Sequence, residues 1–309
     1  MLSAASDAVA LLGAGRADEV RKFYRRLLTD NGGFGGRDGR SDLYYTVFGL
    51  LACRALGAEV PAPAVRRYLA GFGLGERLDM VHVSCLARCW AVLGGDGAPA
   101  GLAKALLERI EACQSADGGY AQQPGSRAGS AYGCFLALGT YEDLGAALPS
   151  PAGLAACLAA LAVGDGSYAN DAMMPIGSVP ATAAAVMVLG YVGLEKGYRH
   201  LRGPNSRPAT EPVPVFEDLA RAADWLLSQH DPGGGFRAVP LAPEPDLLST
   251  AVALLVLRRL GADVAPIRKS CLRFVHSLQA SGGFAGHAHG DAPDAEYTFY
   301  GLTALGCLS

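Results

Sequence analysis

Three clusters in this 309-residue chain carry the side chains from which metal or acid–base chemistry is built. His287-x-His289-x-Asp291 puts two imidazoles and a carboxylate within five residues, a donor set that suits a divalent metal. The glycines around it favour a solvated polar loop, and that is the reading taken. Cys85 and Cys89 stand one helical turn apart with His82 nearby, again metal-like on paper. Both thiols lie in the apolar run Val81 to Leu93, where a free cysteine behaves as a small hydrophobe, so they are read as packing residues. The third set is Asp246, Glu296 and Tyr297, candidate acids or bases. Arg127, with Arg37 and Arg40 in a comparable loop, offers guanidinium groups to a phosphate or carboxylate head group; the plain alternative is exposed surface charge. Tyr45, Tyr132 and Tyr297 supply aromatic faces suited to an apolar chain, or serve as core residues with satisfied hydroxyls.

The element that must position these residues is written in glycine. The chain has 41 glycines, where about 7% would be ordinary, alongside 54 alanines and only three isoleucines. That balance favours helix over sheet. The glycines recur in one phrase: Gly32-Gly33-Phe34, Gly118-Gly119-Tyr120, Gly166-Ser167-Tyr168, Gly234-Gly235-Phe236 and Gly282-Gly283-Phe284. The aromatics are 86, 48, 68 and 48 residues apart. A degenerate copy, Gly71-Phe72-Gly73-Leu74-Gly75, fills the first step, and a Pro-rich insert at about 196–214 lengthens the third. Six units of roughly 45 residues result, a period that signals a repeat architecture.

Each unit predicts an amphipathic helix (Leu102 to Gln114, Ile267 to Gln279) that faces solvent, and glycines whose positive φ ends it. A loop follows, then a helix apolar nearly all round: Leu43 to Leu56, Ser130 to Leu138, Thr182 to Leu189, Ser249 to Leu260. Such helices belong inside. No terminal unit shows the polar capping face that an open solenoid needs. Closure is therefore expected: an all-α (α/α)6 toroid, one domain over 1–309. The starts of the inner helices then converge on a central cavity, bringing Asp42, Tyr44, Tyr45, Ala131, Tyr132, Thr182, Asp246, Ser249, Thr250, Glu296, Tyr297 and Thr298 together. An apolar, aromatic-lined cavity with few polar groups at its mouth suits a hydrophobic ligand. Tyr45, Arg127, Tyr132, Ser249 and Tyr297 are the residues expected to bind it.

Composition excludes other classes. Half the residues are hydrophobic and 18% are charged, which excludes disorder. A net charge of −3 with no Lys/Arg run argues against nucleic acid as a partner. The eight cysteines, spread through apolar patterns, read as buried free thiols instead of a disulfide framework. Met1 to Gly15 carries Asp7 and no basic residue, so it lacks the n-region of a signal peptide. The uncharged stretch Ala172 to Leu194 is interrupted by Pro175, Gly177, Ser178, Pro180 and Thr182, leaving too short an apolar run for a membrane span. A cytoplasmic protein is expected.

The residues Cys113-Gln114-Ser115-Ala116-Asp117-Gly118-Gly119-Tyr120, followed by Pro124-Gly125-Ser126 and Tyr132-Gly133-Cys134, resemble a repeat of protein prenyltransferase β subunits. Squalene-hopene and related terpenoid cyclases share this prenyltransferase–squalene oxidase repeat. Within that superfamily the likeness is strongest to the β subunit of Rab geranylgeranyl transferase, and it covers Arg21 to Leu308 without the insert. The resemblance implies the (α/α)6 toroid, an isoprenoid-type small molecule as ligand, and a helical-repeat partner subunit.

The resembled transferases hold zinc through an Asp-x-Cys at the start of the fifth inner helix and a His in the sixth, and the metal turns the acceptor cysteine into a thiolate. In this chain Leu248 stands where the Cys belongs and Tyr297 stands at the His position, so no zinc cofactor is expected. The loop before Asp246, residues 238–244, holds none of the cations that grip diphosphate in those enzymes. The resembled cyclases carry their general acid in Asp-x-Asp-Asp-Thr-Ala. Asp246-Leu247-Leu248-Ser249-Thr250-Ala251 keeps the frame but loses two carboxylates, and with them the neighbours that would raise the pKa of Asp246. The expected function is a prenyltransferase β-subunit-like protein that binds an isoprenoid or other hydrophobic ligand without zinc-dependent protein prenylation. Two alternatives stay open. One is a divergent isoprenoid-processing enzyme using Asp246, Glu296 or Tyr297; the other is a scaffold subunit of a heterodimer.

Overall fold

The computed structural model describes residues 1–195, 215–290 and 292–309, so the insert at 196–214 and Asp291 lie outside the described residues. Each repeat converts its composition into a helix pair. The first helix of a pair buries one stripe at helical spacing: Leu102, Leu106 and Ile110 in α5 (Leu102–Ala112), or Cys271 and Val275 in α11 (Arg268–Ser277). These outer helices also include α1 (Leu2–Leu27), α3 (Ala62–Ala70), α7 (Pro151–Ala160) and α9 (Val215–Ser228). The second helices are α2 (Leu43–Ala55), α4 (Met80–Val92), α6 (Ala131–Asp143), α8 (Val179–Glu195), α10 (Leu247–Leu260) and α12 (Ala295–Cys307). They form the inner ring. Each packs on the next in chain order, and α12 returns to pack on α2. The predicted closed (α/α)6 toroid is what the chain forms.

The glycines do something other than end the first helices, as the sequence reading assumed. Those helices stop several residues earlier, and the glycines make the tight turn of a miniature antiparallel hairpin. Its bridges are Leu28↔Phe34, Gln114↔Tyr120, Ala162↔Tyr168 and His230↔Phe236, with β1 (Gln279–Ala280) on β2 (Gly283–Phe284) in the last unit. The first glycine of each turn has φ between 82° and 117° and meets the backbone of the next outer helix. A Cβ on Gly234 would lie 2.1 Å from the Ser270 carbonyl oxygen, and one on Gly282 would lie 2.8 Å from the Glu19 carbonyl oxygen of α1. The last contact runs from the sixth unit to the first, so the outer ring closes as well.

The start of the chain adds an unexpected feature. Residues ahead of Gly13 are helical, Gly13 breaks the helix at φ 70°, and Ala4, Ala5, Ala8 and Leu12 are buried. This half of α1 seats against α12, where a Cβ on Gly306 would come 1.6 Å from the Ala4 carbonyl oxygen.

A hydroxyl locks four of the five hairpins to the inner helix behind them. The buried N–H groups of Phe34, Tyr168, Phe236 and Phe284 donate to Thr46, Thr182, Thr250 and Thr298 Oγ1 at 2.9–3.0 Å. These threonines are fully buried. Three of them were expected at the cavity mouth and instead satisfy the backbone, which a buried N–H requires. All eight cysteines are buried and none forms a disulfide, as expected. No described helix is long and apolar enough to cross a membrane.

Candidate functional site

An N-cap sets the phase of the helix that follows it. Asp42, Asp79, Ser130, Asp246 and Asp294 cap α2, α4, α6, α10 and α12, and Ser178 accepts from Ala181 N at the start of α8. The residue just after each cap (Leu43, Met80, Ala131, Val179, Leu247, Ala295) is buried. The next one is half-buried in all six helices: Tyr44, Val81, Tyr132, Pro180, Leu248 and Glu296. An inner helix is covered by its pair and by both neighbours, so a repeated half-exposed position faces the ring centre. One turn deeper the same stripe holds Phe48, Cys85, Leu136, Ala184, Val252 and Tyr300. Tyr44 and Phe48 rings lie 5.0 Å apart, and Phe48 and Tyr300 rings 5.7 Å apart, which places α2 and α12 across a shared aromatic wall.

Glu296 is the one carboxylate in that upper layer. Tyr44 Oη donates to its Oε1 at 2.6 Å. Burial pushes the Glu296 carboxyl above its ordinary value, partly opposed by the Tyr44 hydrogen bond. Burial raises the Tyr44 and Tyr300 phenols as well, and it pushes Tyr132 up to about 12. The layer thus presents neutral phenols around one partly desolvated carboxyl group.

Asp246 has another job. Its Oδ1 accepts from Ser249 N and its Oδ2 from Ser249 Oγ, both at 2.7 Å, so both oxygens serve the cap of α10. Burial still raises its pKa; the neighbouring carboxylates that the sequence argument required are not needed. Ser249 is fully buried against it. Tyr297 and Tyr45 occupy equivalent positions three residues after their caps, at the rim. A Cβ on Gly286 would lie 2.5 Å from the Tyr297 ring, and one on Gly36 would lie 3.2 Å from the Tyr45 ring. Arg37 pairs with Asp294 at 3.0 Å and stands 5.8 Å from the Tyr297 ring centroid. Arg40 pairs with Asp38 in the same loop, while Arg127 is exposed two units away. The structure therefore brings Tyr132 and Glu296 to the ring centre and leaves Tyr45, Tyr297 and Arg127 along the rim.

The metal-like clusters resolve differently. His287 and His289 both approach Glu244 of the neighbouring loop, at 3.4 and 3.2 Å, and Asp291 lies outside the described residues. Cys85 and Cys89 are buried in α4, and His82 turns to Asp79. Among the described residues no group of three His, Cys, Asp or Glu is placed to hold a metal ion. At the positions matching the resembled zinc site, Asp246 spends both oxygens on a cap, Leu248 has no donor atom, and burial raises the Tyr297 phenol. That donor set does not fit zinc.

Sequence reasoning passed over Phe48, Tyr300 and Val252. Counting two and six residues from each cap finds them. It also passed over a pocket of about 490 Å³ beside the mouth, lined by Asp79, Met80, Glu108, Arg109 and Gln122 among others.

Comparison with known proteins agrees with this architecture. The family described as the prenyltransferase alpha-alpha toroid domain matches residues 5–152 and 213–309. No curated protein sequence matches the chain. Among solved structures, a type II terpene cyclase from Scytonema, in complex with geranylgeranyl dihydroxybenzoate, is similar at TM-score 0.61 and 12% identity, covering 98% of this chain and 97% of that one. A Candida albicans protein geranylgeranyltransferase-I complexed with GGPP aligns at 0.63 and 13%, covering 94% and 90%. An α-1,6-mannanase of Salegentibacter aligns at 0.61 and 14%, covering 95% and 98%. Such distant likenesses carry the fold, and a ring shared by a cyclase, a transferase and a mannanase does not itself choose a ligand.

Proposed function

The chain belongs to the prenyltransferase alpha-alpha toroid family, and from that premise we propose that it binds an isoprenoid or another elongated hydrophobic ligand in the centre of the ring. The observation that carries this reading is the central stripe. Tyr44, Tyr132, Leu248, Phe48, Val252 and Tyr300 offer aromatic and aliphatic faces with a single carboxylate, Glu296, among them. Such a lining suits a long apolar molecule and suits a sugar poorly, since a sugar needs many convergent polar groups. The ligands named in two of the similar structures, geranylgeranyl dihydroxybenzoate and GGPP, are of the class proposed.

Zinc-dependent protein prenylation is not part of this proposal. The positions matching the transferase zinc site are a capping aspartate, a leucine and a protonated phenol, and the loop before Asp246 has no cation for diphosphate. The test is titration with geranylgeraniol and with geranylgeranyl diphosphate, followed by product analysis and zinc determination. Saturable binding without turnover supports the reading; stoichiometric zinc together with transfer to a cysteine peptide overturns it.

One observation favours the enzymatic alternative. Glu296 is a carboxyl group whose pKa is raised by burial and whose position is fixed by Tyr44 in an aromatic surround, the kind of setting that favours the protonated form of a general acid. A cyclised product that disappears in Glu296→Gln would move the function to that reading. A scaffold role calls for an apolar patch on the outer helices, and among the described residues the exposed large apolar side chains sit on loops.

A further inference from the structure

Among the described residues five large apolar side chains stand exposed, and four of them belong to two neighbouring loops at the rim where the inner helices begin: Met173, Met174, Ile176 and Leu241. The repeat makes their placement comparable. Met173 and Leu241 each lie five residues after the hairpin aromatic, Tyr168 or Phe236, and are 93% and 94% exposed. The same position holds Gly39, Gly125 and His289 in units one, three and six. The two loops are neighbours, because Val179 N, just after the first, donates to Ala238 O in the second at 2.8 Å.

We infer that the tips of these two loops form a lipid-docking surface, with Met173, Met174, Ile176 and Leu241 entering the interfacial region of a bilayer. Four reasons select lipid over a protein partner. The side chains protrude from tips instead of lining a groove, so no complementary pocket is needed for them to leave water. Much of the backbone at the tips is already satisfied, which lowers the cost of entering an apolar medium, where an unsatisfied N–H is costly. Asp171 Oδ1 accepts from Met173 N and Met174 N, Met174 O accepts from Ile176 N, and Val239 O accepts from Ala242 N. Pro175, Pro240 and Pro243 have no N–H to satisfy. The third reason is charge: nearby Asp165, Asp171 and Glu244 are acidic, Arg221 is bound to the Gly164 carbonyl, and Arg237 is paired with Asp231. Zwitterionic lipid is therefore favoured over anionic lipid. Finally, the rim is the mouth of the ring, where a ligand insoluble in water would enter. The first three reasons stand whether or not the ring binds an isoprenoid.

The test is co-sedimentation of the full chain with ligand-free phosphatidylcholine vesicles. Wild type sediments with the vesicles, and Met173→Glu/Leu241→Glu lowers its partition about tenfold or more. Both side chains are almost fully exposed, so the variant keeps the wild-type circular dichroism and melting temperature. Ala103→Glu, on an exposed face of α5, leaves partition unchanged. The inference is overturned if wild type stays in the supernatant or if the double variant sediments equally. It is also overturned if the double variant abolishes self-association in solution and wild type ignores vesicles, which would make the tips a protein contact. Vesicle binding is read without isoprenoid, so its failure is separate from failure of the ligand reading.

Discussion

Tyr44 on the first inner helix donates a 2.6 Å hydrogen bond to Glu296 on the last, so the seam that closes the ring and the one carboxylate of its upper layer are the same place. The bond joins residues 252 positions apart. It also orients the one carboxyl group in that layer, whose pKa burial raises.

Removing the phenol isolates a buried charge. Tyr44→Phe is expected to destabilise the protein by about 1–3 kcal/mol where Glu296 is ionised, and by less where it is protonated. Urea unfolding at about pH 8 and about pH 5 checks this. An equal effect at both values would mean that the bond does not depend on the carboxylate charge.

Glu296 itself sets a pH slope. Its folded-state pKa is raised by burial, so the folded state holds the proton more tightly than the unfolded chain. Its contribution is complete below the ordinary Glu value and is lost as pH rises through the raised folded value. The unfolding free energy of wild type relative to Glu296→Gln should therefore fall as pH rises across that window. A rising difference would contradict the assignment.

The threonine locks predict a stability effect with its own control. Thr298→Val leaves the buried Phe284 N–H without its partner and should cost about 1–3 kcal/mol, while Thr298→Ser recovers most of it. Chemical denaturation of the two variants measures the difference directly.

The inner glycines divide into two kinds. A Cβ on Gly301 would lie 2.6 Å from the Phe284 ring, whereas one on Gly190 meets nothing within 4 Å. Gly301→Ala is expected to destabilise by about 1–3 kcal/mol through overpacking. Gly190→Ala, inside α8, should be neutral or stabilising by up to about 1 kcal/mol. Melting temperatures that move together would refute this reading of the packing.

The spacing of five glycine phrases made the ring legible, because the first glycine of each takes a positive φ that other residues rarely adopt. The function of those turns was not legible. Gly282 touching α1 is a contact between the two ends of the chain, and no local pattern encodes it. The site was half legible for a related reason. Tyr132 and Glu296 followed from the helix starts, but the sequence could not separate a residue two places after a cap from one three places after it. That single step distinguishes Glu296, facing the centre, from Tyr297, lying over Gly286 at the rim. Asp246 looked chemical because it survived from a motif, and its two hydrogen bonds to Ser249 give it a capping role that Asp42 and Asp294 share.

The central claim is a hydrophobic ligand inside the ring, and equilibrium titration with geranylgeraniol tests it most directly, using wild type beside Val252→Glu. Val252 lies half-buried on the central stripe one turn below Leu248, so a charge there spoils the lining without emptying the core. Saturable one-to-one binding by wild type, weakened about tenfold or more in the variant, a loss of about 1.4 kcal/mol, is the result predicted. Absence of saturable binding by wild type, or equal binding by both proteins, would contradict it.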